Sequence, residues 1–207
     1  MHIGIIPDGN RRWARKHGLS FHRAYANGFR VVIDLTLRLP VIGFRHITFY
    51  GLTNGNYVKR PPDQVESLLS QMIDSMVAET PRLLSNGVRI NFYGQIQQLR
   101  VDHQENIEKI QKSTISLEHP ATDMNILVNY SLEWDFSAKL GSLATHKIPA
   151  CDLIFRSGGV KRLSGFLPLQ SANAELHFSS KLWPDVQPSD VDRAVGRFFK
   201  VKRNFGA

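Results

Sequence analysis

In the stretch IPDGNRRWARKHGL (6–19), an apolar run, His2-Ile3-Gly4-Ile5-Ile6, stops at Pro7 and gives way to Asp8, Gly9, Asn10, Arg11, Arg12 and Trp13. Asp-Gly and Asn are ordinary turn residues, so a plain turn is one reading of Asp8, Gly9 and Asn10. Two adjacent guanidinium groups argue for more, because arginine grips phosphate oxygens bidentately and a turn has no use for that. Beside a diphosphate, Asp8 suits Mg²⁺, a hard cation usually held by one or two carboxylates together with substrate phosphate. A second cluster lies in DLIFRSGGVKRLSGFLPLQSANAELHF (152–178), where Arg156 ends an apolar run and Ser157-Gly158-Gly159, Arg162 and Ser164 follow closely. Backbone amides, two arginines and a hydroxyl make a second phosphate cradle on this reading; a glycine-rich hairpin with solvated charges accounts for Lys161 but poorly for the set. Glu175, in the otherwise apolar SANAELHF, needs a partner, either a metal or an arginine.

Other chemistries find no support in the chain. Its eight histidines are scattered, without HExxH or a Cys/His cluster, which disfavours zinc; His17 and His22 read as surface residues. GxSxG, Walker A and GxGxxG patterns are missing. Trp183-Pro184-Asp185 reads as structural. The single cysteine, Cys151, rules out an internal disulfide framework and fits a reducing compartment. Neither a signal peptide nor an apolar stretch of about 20 residues is visible. A cytoplasmic protein without stable membrane insertion is expected. The net charge of +8 calls for an anionic partner. Because the arginines recur at turns after strand-like segments, rather than in one basic run, discrete phosphate clamps are favoured over a nucleic-acid track.

The elements that must position these residues alternate. Strand-like runs occur at 2–6, 46–51, 88–94, 124–130 and 152–156, separated by helix-compatible stretches at 22–39, 62–84, 98–115, 133–145 and 188–203. Strands apolar throughout, alternating with helices, predict one α/β domain over 1–207, with a mostly parallel central sheet flanked by helices. Ligands of such sheets bind beyond the carboxyl ends of strands, where the polar clusters fall. Pro61-Pro62 and Asp63 mark a helix start, and Val65, Leu68, Leu69, Met72, Ile73 and Met76 then form one stripe that reads as core rather than as a ligand wall.

Together, PDGNRRWARKHGL, DLIFRSGG, RLSGFLPLQ, AELHF and LWPDV, in this order and spacing, resemble the cis-prenyltransferase family of undecaprenyl diphosphate synthases over nearly the whole chain. The resemblance implies that family's homodimeric α/β fold, with a hydrophobic tunnel and two diphosphate sites. It implies Mg²⁺ on Asp8, with Glu175 reaching toward the metal region near the dimer interface. Catalytic roles follow for Asp8, Asn10, Arg12 and Asn56. Gly9, Arg11 and Trp13 would serve the allylic diphosphate, and Arg156, Arg162 and Ser164 the second substrate's diphosphate.

Departures from the pattern narrow the expectation. Chain-elongating members carry Gly-His where this chain has Ala24-Tyr25, arginine at Phe21, and FSxENWxRP where it has LTNGNYVKRP, with Thr53, Gly55 and Tyr57 replacing Ser, Glu and Trp. An acid is replaced by Gln64, NYGGR by Asn129-Tyr130-Ser131-Leu132-Glu133, a Glu by Val160 and a Trp by Leu169. The AYA, NY, YSL and FLPL segments are similar to the irregular branch, the cyclolavandulyl and isosesquilavandulyl diphosphate synthases. That likeness implies head-to-middle coupling of dimethylallyl or geranyl diphosphate, with Tyr25, Thr53, Tyr57 and Leu169 contacting substrate and the last two, with Tyr25, reshaping the acceptor pocket. A short-chain head-to-tail enzyme using isopentenyl diphosphate, or a non-catalytic partner subunit of the same fold, is the alternative. Asp8 argues against the latter, and nucleic-acid binding rests on charge alone.

Overall fold

The computed structural model describes residues 1–117, 120–137 and 143–202. Six parallel strands, β1 (His2–Ile6), β2 (His46–Thr53), β3 (Val88–Tyr93), β4 (Thr122–Tyr130), β5 (Leu153–Arg156) and β6 (Glu175–Phe178), form one sheet in the order β3-β4-β2-β1-β5-β6. The helices are α1 (Asn10–His17), α2 (Phe21–Arg38), α3 (Asn54–Lys59), α4 (Pro62–Ser85), α5 (Val101–Ile115), α6 (Leu132–Phe136) and α7 (Pro188–Phe198). This is the α/β architecture expected from the alternating pattern. The central strand β1 is buried along its whole length, as a strand covered on both faces must be.

Two cores lie on the two faces. On one, α2 and α4 pack together over Ile3, Ile5, Ile47, Phe49, Met124 and Ile126. The predicted α4 stripe from Val65 to Met76 is buried there. On the other face, Tyr50, Leu127, Tyr130, Ile154, Phe166 and Leu167 cluster with Cys151. A polar ladder shares that side: His2 Nε2 lies 2.8 Å from Thr48 Oγ1, which also accepts from Asn125 Nδ2 at 3.2 Å.

Several elements differ from expectation. Residues 10–17 and 54–59 are short helices, too brief for their period to show against the motif residues they carry. Gly9, at φ +113, turns the chain into α1, and Thr53 Oγ1 caps α3 by accepting from the Asn56 amide. Strand β6 is new: its edge position leaves it half-buried, so it lacks the apolar run that marks the inner strands. The segment 96–98 is a 3₁₀ turn preceding α5, α6 stops at Phe136, and α7 stops at Phe198. The parts of the expected helices at 138–142 and 203 lie outside the described residues. Pro61 and Pro62 open α4 as anticipated, with Asp63 in its first turn.

Candidate active site

Register fixes the site. Ile6 pairs with Arg156 across β1 and β5, so Asp8 and Ser157 emerge together just past the carboxyl ends of neighbouring strands. Ser157 Oγ donates to the Asp8 carbonyl at 2.8 Å. Gly158, at φ +85, lets the two loops touch: a Cβ there would sit 2.6 Å from Arg12 Nη2 and 2.9 Å from the Asp8 carbonyl oxygen. The close approach allows Arg12 Nη1 to donate to the Gly158 carbonyl at 2.8 Å.

Asp8 stands between the two predicted cradles. Its Oδ1 accepts from Arg12 Nη2 at 3.1 Å and its Oδ2 from Arg156 Nη2 at 2.8 Å. Arg156 is 4% exposed; its Nη1 donates to Ser164 Oγ at 2.9 Å and to the Arg162 carbonyl, while Arg162 Nε lies 3.3 Å from Ser164 Oγ. The motifs around residues 8–12 and 156–164, nearly 150 residues apart in the chain, are therefore one bonded constellation.

Two cavities meet at Asp8. The first, about 310 Å³, has a basic mouth of Asn10, Arg11, Arg12, Arg15 and Arg60 and an apolar body of Phe29, Val32, Phe49, Leu68, Met72 and Ile126. Leu68 and Met72 thus belong both to the core and to the wall of this cavity, where the stripe alone suggested only core. The second, about 450 Å³, is polar and is framed by Tyr50, Thr53, Asn56, Lys59, Arg60, Arg156, Arg162 and Ser164. Asp8 and Arg60 line both.

Buried polar atoms are normally hydrogen-bonded, and exceptions need an explanation. Here Asn10 Oδ1, Arg11 Nε, Tyr25 Oη, Arg60 Nε and Arg156 Nε are buried without a partner, and all five residues line one or other of these cavities. Tyr25 and Arg60 feel one another and Arg11 electrostatically; burial holds the Tyr25 phenol above its usual pKa and the Arg60 guanidinium below its own. The amino end of α1 adds free amides: Gly9 caps it without a side-chain bond, and no acid occupies its first turn. The three arginine N–H groups and the Tyr25 hydroxyl left unpaired beside these cavities suit an amphiphile with an anionic head.

Several sequence expectations are corrected. The Gly158 and Gly159 amides are not free to cradle phosphate, since they donate to the Lys181 and Ser179 carbonyls at 2.7 and 2.8 Å. Tyr25 belongs to the first cavity, not to the second beside Arg162 and Ser164. Trp13 lines neither: its Nε1 donates to Asp185 Oδ1 at 2.6 Å, pinning α1 to the 3₁₀ turn at Trp183–Asp185. Tyr57 is turned away likewise, its hydroxyl donating to the Gln98 carbonyl at 2.7 Å, and Leu169 is 57% exposed outside both cavities. Glu175 pairs with Leu153, three residue steps before Arg156, which puts it about 10 Å back along the strands from the Asp8 end. Within one chain Glu175 and Asp8 do not meet, and among the described residues no cluster of three His, Cys, Asp or Glu side chains could hold a metal. Trp183 is structural, as expected, with Nε1 donating to the Gly28 carbonyl at 2.8 Å, but it also lines the first cavity.

Sequence reasoning missed Arg15 and Arg60. Arg60 had a signal: it is a cation directly before the Pro61-Pro62 helix start, at the end of the short α3 that follows β2. Arg15 lies one helical turn beyond Arg11 and Arg12 and, like Arg11, leans over Phe21, at 5.9 and 5.4 Å from the ring centre.

Comparison with known proteins decides the lineage. The prenyltransferase family model described as undecaprenyl diphosphate synthase matches residues 6–206. The isoprenyl transferase of Treponema denticola is 32% identical over 225 residues, covering 99% of this chain and 96% of that protein. The chain belongs to the undecaprenyl diphosphate synthase family of prenyltransferases. Another relative, the ditrans,polycis-undecaprenyl-diphosphate synthase of Pasteurella multocida, (2E,6E)-farnesyl-diphosphate specific, is 29% identical over 99% of this chain and 94% of its own. Lavandulyl diphosphate synthase from Lavandula x intermedia, solved in complex with dimethylallyl diphosphate, superposes with a TM-score of 0.91, covering 100% of this chain and 98% of that one at 23% identity, and so shares the fold. In this prenyltransferase, all five residues of the segment Asp8–Arg12 line the first cavity, and Asn56, Arg156, Arg162 and Ser164 line the second. Among the described residues, no helix is long and apolar enough to cross a membrane.

Proposed function

We propose that this protein is a Mg²⁺-dependent prenyl diphosphate synthase that joins two short allylic diphosphates head-to-middle, giving a branched lavandulyl-type diphosphate such as isosesquilavandulyl diphosphate, and releases pyrophosphate. The observation that carries the proposal is the set of partnerless buried polar atoms at the head of an apolar cavity, with a second basic cavity sharing the same aspartate.

In this reading the first cavity holds the donor. Arg11, Arg12, Arg15 and Arg60 neutralise its diphosphate, and Phe29, Val32, Leu68 and Met72 enclose the prenyl tail. One helical turn beyond Val32 and Met72, Thr36 and Met76 are buried, and Thr36 Oγ1 reaches Met124 Sδ at 3.7 Å. A cavity of about 310 Å³ suits short prenyl chains. The donor set fits Mg²⁺, because a single carboxylate between two diphosphate sites lets substrate oxygens complete the shell. Asp8 would hold the ion, with the partner subunit's copy of the AELHF acid a further candidate in a homodimer. When bound, the ion neutralises charge on the departing pyrophosphate.

The second cavity holds the acceptor diphosphate on Arg156, Arg162 and Ser164. Among the described residues, no carboxylate other than Asp8 lines it, so an allylic acceptor there lacks a metal of its own and is kept from ionising. Coupling breaks the donor C1–O bond and joins C1 to acceptor C2; the resulting tertiary cation loses a methyl proton to the released pyrophosphate, and the product keeps the acceptor diphosphate. The arginines orient both headgroups, and the apolar wall excludes water from the cation. The lavandulyl diphosphate synthase with which this chain shares its fold is consistent with such coupling. Release of pyrophosphate from dimethylallyl or geranyl diphosphate alone, without isopentenyl diphosphate, tests the proposal. Turnover only when isopentenyl diphosphate is added would establish the head-to-tail alternative, which the Thr53 and Asn56 side of the second cavity also accommodates. No turnover with any pair would point to a non-catalytic subunit.

A further inference from the structure

The turn that carries Ser164 is held in an unfavourable backbone conformation. Ser164 lies at φ +54 and Leu167 at φ +36, two of only three non-glycine residues with positive φ among those described, and Gly165 between them is at φ +79. Left-handed backbone at a residue with a side chain persists only where the surroundings over-determine it. The restraints are visible. Arg156 Nη1 holds Ser164 Oγ and the Arg162 carbonyl from beneath. Phe166, fully buried, is wedged against β1 so closely that a Cβ on Gly4 would come within 2.5 Å of its ring. Ser171 Oγ donates to the Phe166 carbonyl at 3.1 Å, and Gln170 Nε2 donates to Thr145 Oγ1 at 2.9 Å.

One restraint comes from across the second cavity. The Tyr50 hydroxyl donates to the Ser164 carbonyl at 3.3 Å, and its ring packs on Phe166 at 5.5 Å and edge-on to Tyr130 at 6.0 Å. Tyr130 is itself tied down, donating to the buried carboxylate of Asp135 at 2.8 Å. Burial raises the Tyr50 pKa, so its hydroxyl keeps its proton and remains a donor. Tyr50 sits at the β2 bulge, where the register shifts between Tyr50 and Leu52, and this bulge aims strand residues into the cavity.

We infer that Tyr50 is a positioning residue of the acceptor site: by holding the Ser164 carbonyl it fixes the strained 164–167 turn, so that Ser164 Oγ and the Arg162 guanidinium present a preformed grip to one diphosphate. This rests on the assignment of the second cavity to the acceptor. Its specific content is that a residue bonded to backbone, at the end of β2, sets the affinity of one diphosphate site and not of the other.

The test is direct binding of dimethylallyl S-thiolodiphosphate, a non-ionising analogue, to the wild type and to Tyr50→Phe, which removes one oxygen and keeps the ring. Reference variants Arg11→Ala and Arg162→Ala identify the two sites calorimetrically. Tyr50→Phe should weaken the site that Arg162→Ala weakens by about 3- to 10-fold, the scale of one hydrogen bond, and leave the other within twofold. On a Ser164→Gly background, where left-handed backbone costs nothing and the serine hydroxyl is gone, adding Tyr50→Phe should change affinity less than twofold. Equal weakening of both sites, no weakening of either, or an undiminished loss on the glycine background would overturn the inference. If Arg162→Ala weakens neither site, the acceptor assignment itself is wrong and the role of Tyr50 falls with it. If Arg162→Ala acts and Tyr50→Phe does not, only the inference fails.

Discussion

Replacing Asp8 by Asn should push turnover and anion affinity in opposite directions. Asp8 holds Arg12 Nη2 at 3.1 Å and Arg156 Nη2 at 2.8 Å, so in the empty protein the carboxylate occupies the arginines that a diphosphate needs. Hydrogen bonds to charged groups contribute about 1.5–3 kcal/mol. The Asp8 side chain is 30% exposed, and solvent screening reduces the effective competition to roughly 1–2 kcal/mol. Without divalent metal, Asp8→Asn should therefore bind inorganic pyrophosphate about 5- to 30-fold more tightly, the factor that such an energy represents. With Mg²⁺ and prenyl diphosphates, the same variant should lose on the order of 100-fold in kcat, comparable with removal of a major electrostatic stabiliser. Arg156, 4% exposed, keeps Ser164 Oγ and the Arg162 carbonyl, so the fold survives with a lower Tm. Isothermal titration in EDTA, steady-state pyrophosphate release and a thermal melt measure the three quantities. Weaker metal-free binding of pyrophosphate, or wild-type turnover, would refute the placement of Asp8 between the two cradles.

Arg60→Ala should raise KM for the donor about tenfold or more, since Arg60 is a half-buried cation whose buried Nε is unpaired and which lines both cavities; an unchanged KM in steady-state assays would remove it from the site. Gly158→Ala should cost more in kcat than in stability, because the added methyl displaces Arg12 Nη2 and the Asp8 backbone at 2.6 and 2.9 Å; activity close to wild type would show that the two loops need not touch. His2, buried among Thr48, Pro149 and Cys151, has its pKa lowered to about 4, chiefly by desolvation. Below pH 6.5 the unfolded chain therefore binds the His2 proton while the folded chain does not. Stability from this residue is complete above pH 6.5 and is lost as pH falls toward 4, by roughly 3 kcal/mol at most. Urea unfolding across that window should show a flatter pH dependence for His2→Gln than for the wild type; parallel curves would contradict the assignment.

How much was legible in the sequence follows from the length scale of each signal. The four inner strands carry apolar runs because both faces are covered, and they were read within a few residues, as was the edge strand β3, in which buried and half-buried residues alternate. Strand β6, on the edge and half-buried, carries no such run. Helices α1 and α3 span barely two turns, and their starts depend on Gly9 at φ +113 and on the Thr53 cap, so their residues read as loops. In the site, residues adjacent to strand ends were found because chain order puts them at the carboxyl edge: Asp8, Arg12, Arg156 and Ser164 form one network. Side-chain direction was not legible. Trp13, Tyr57 and Leu169 occupy motif positions, yet Trp13 and Tyr57 spend their polar atoms on Asp185 and Gln98, and Leu169 faces outward. Tyr25 was expected in the acceptor pocket but lines the first cavity, because the side of the Asp8 divide on which a helix residue falls depends on how α2 packs over the sheet.

The central claim is head-to-middle coupling across the shared aspartate, and an isotope experiment tests it most directly. The protein is incubated with Mg²⁺ and dimethylallyl diphosphate enriched in ¹³C at C1, with no isopentenyl diphosphate, and the dephosphorylated product is examined by NMR. The account predicts two enriched methylene carbons, one bearing oxygen and one allylic, both attached to the same methine carbon. Absence of coupled product under these conditions, with linear cis-prenyl products forming once isopentenyl diphosphate is supplied, would contradict it.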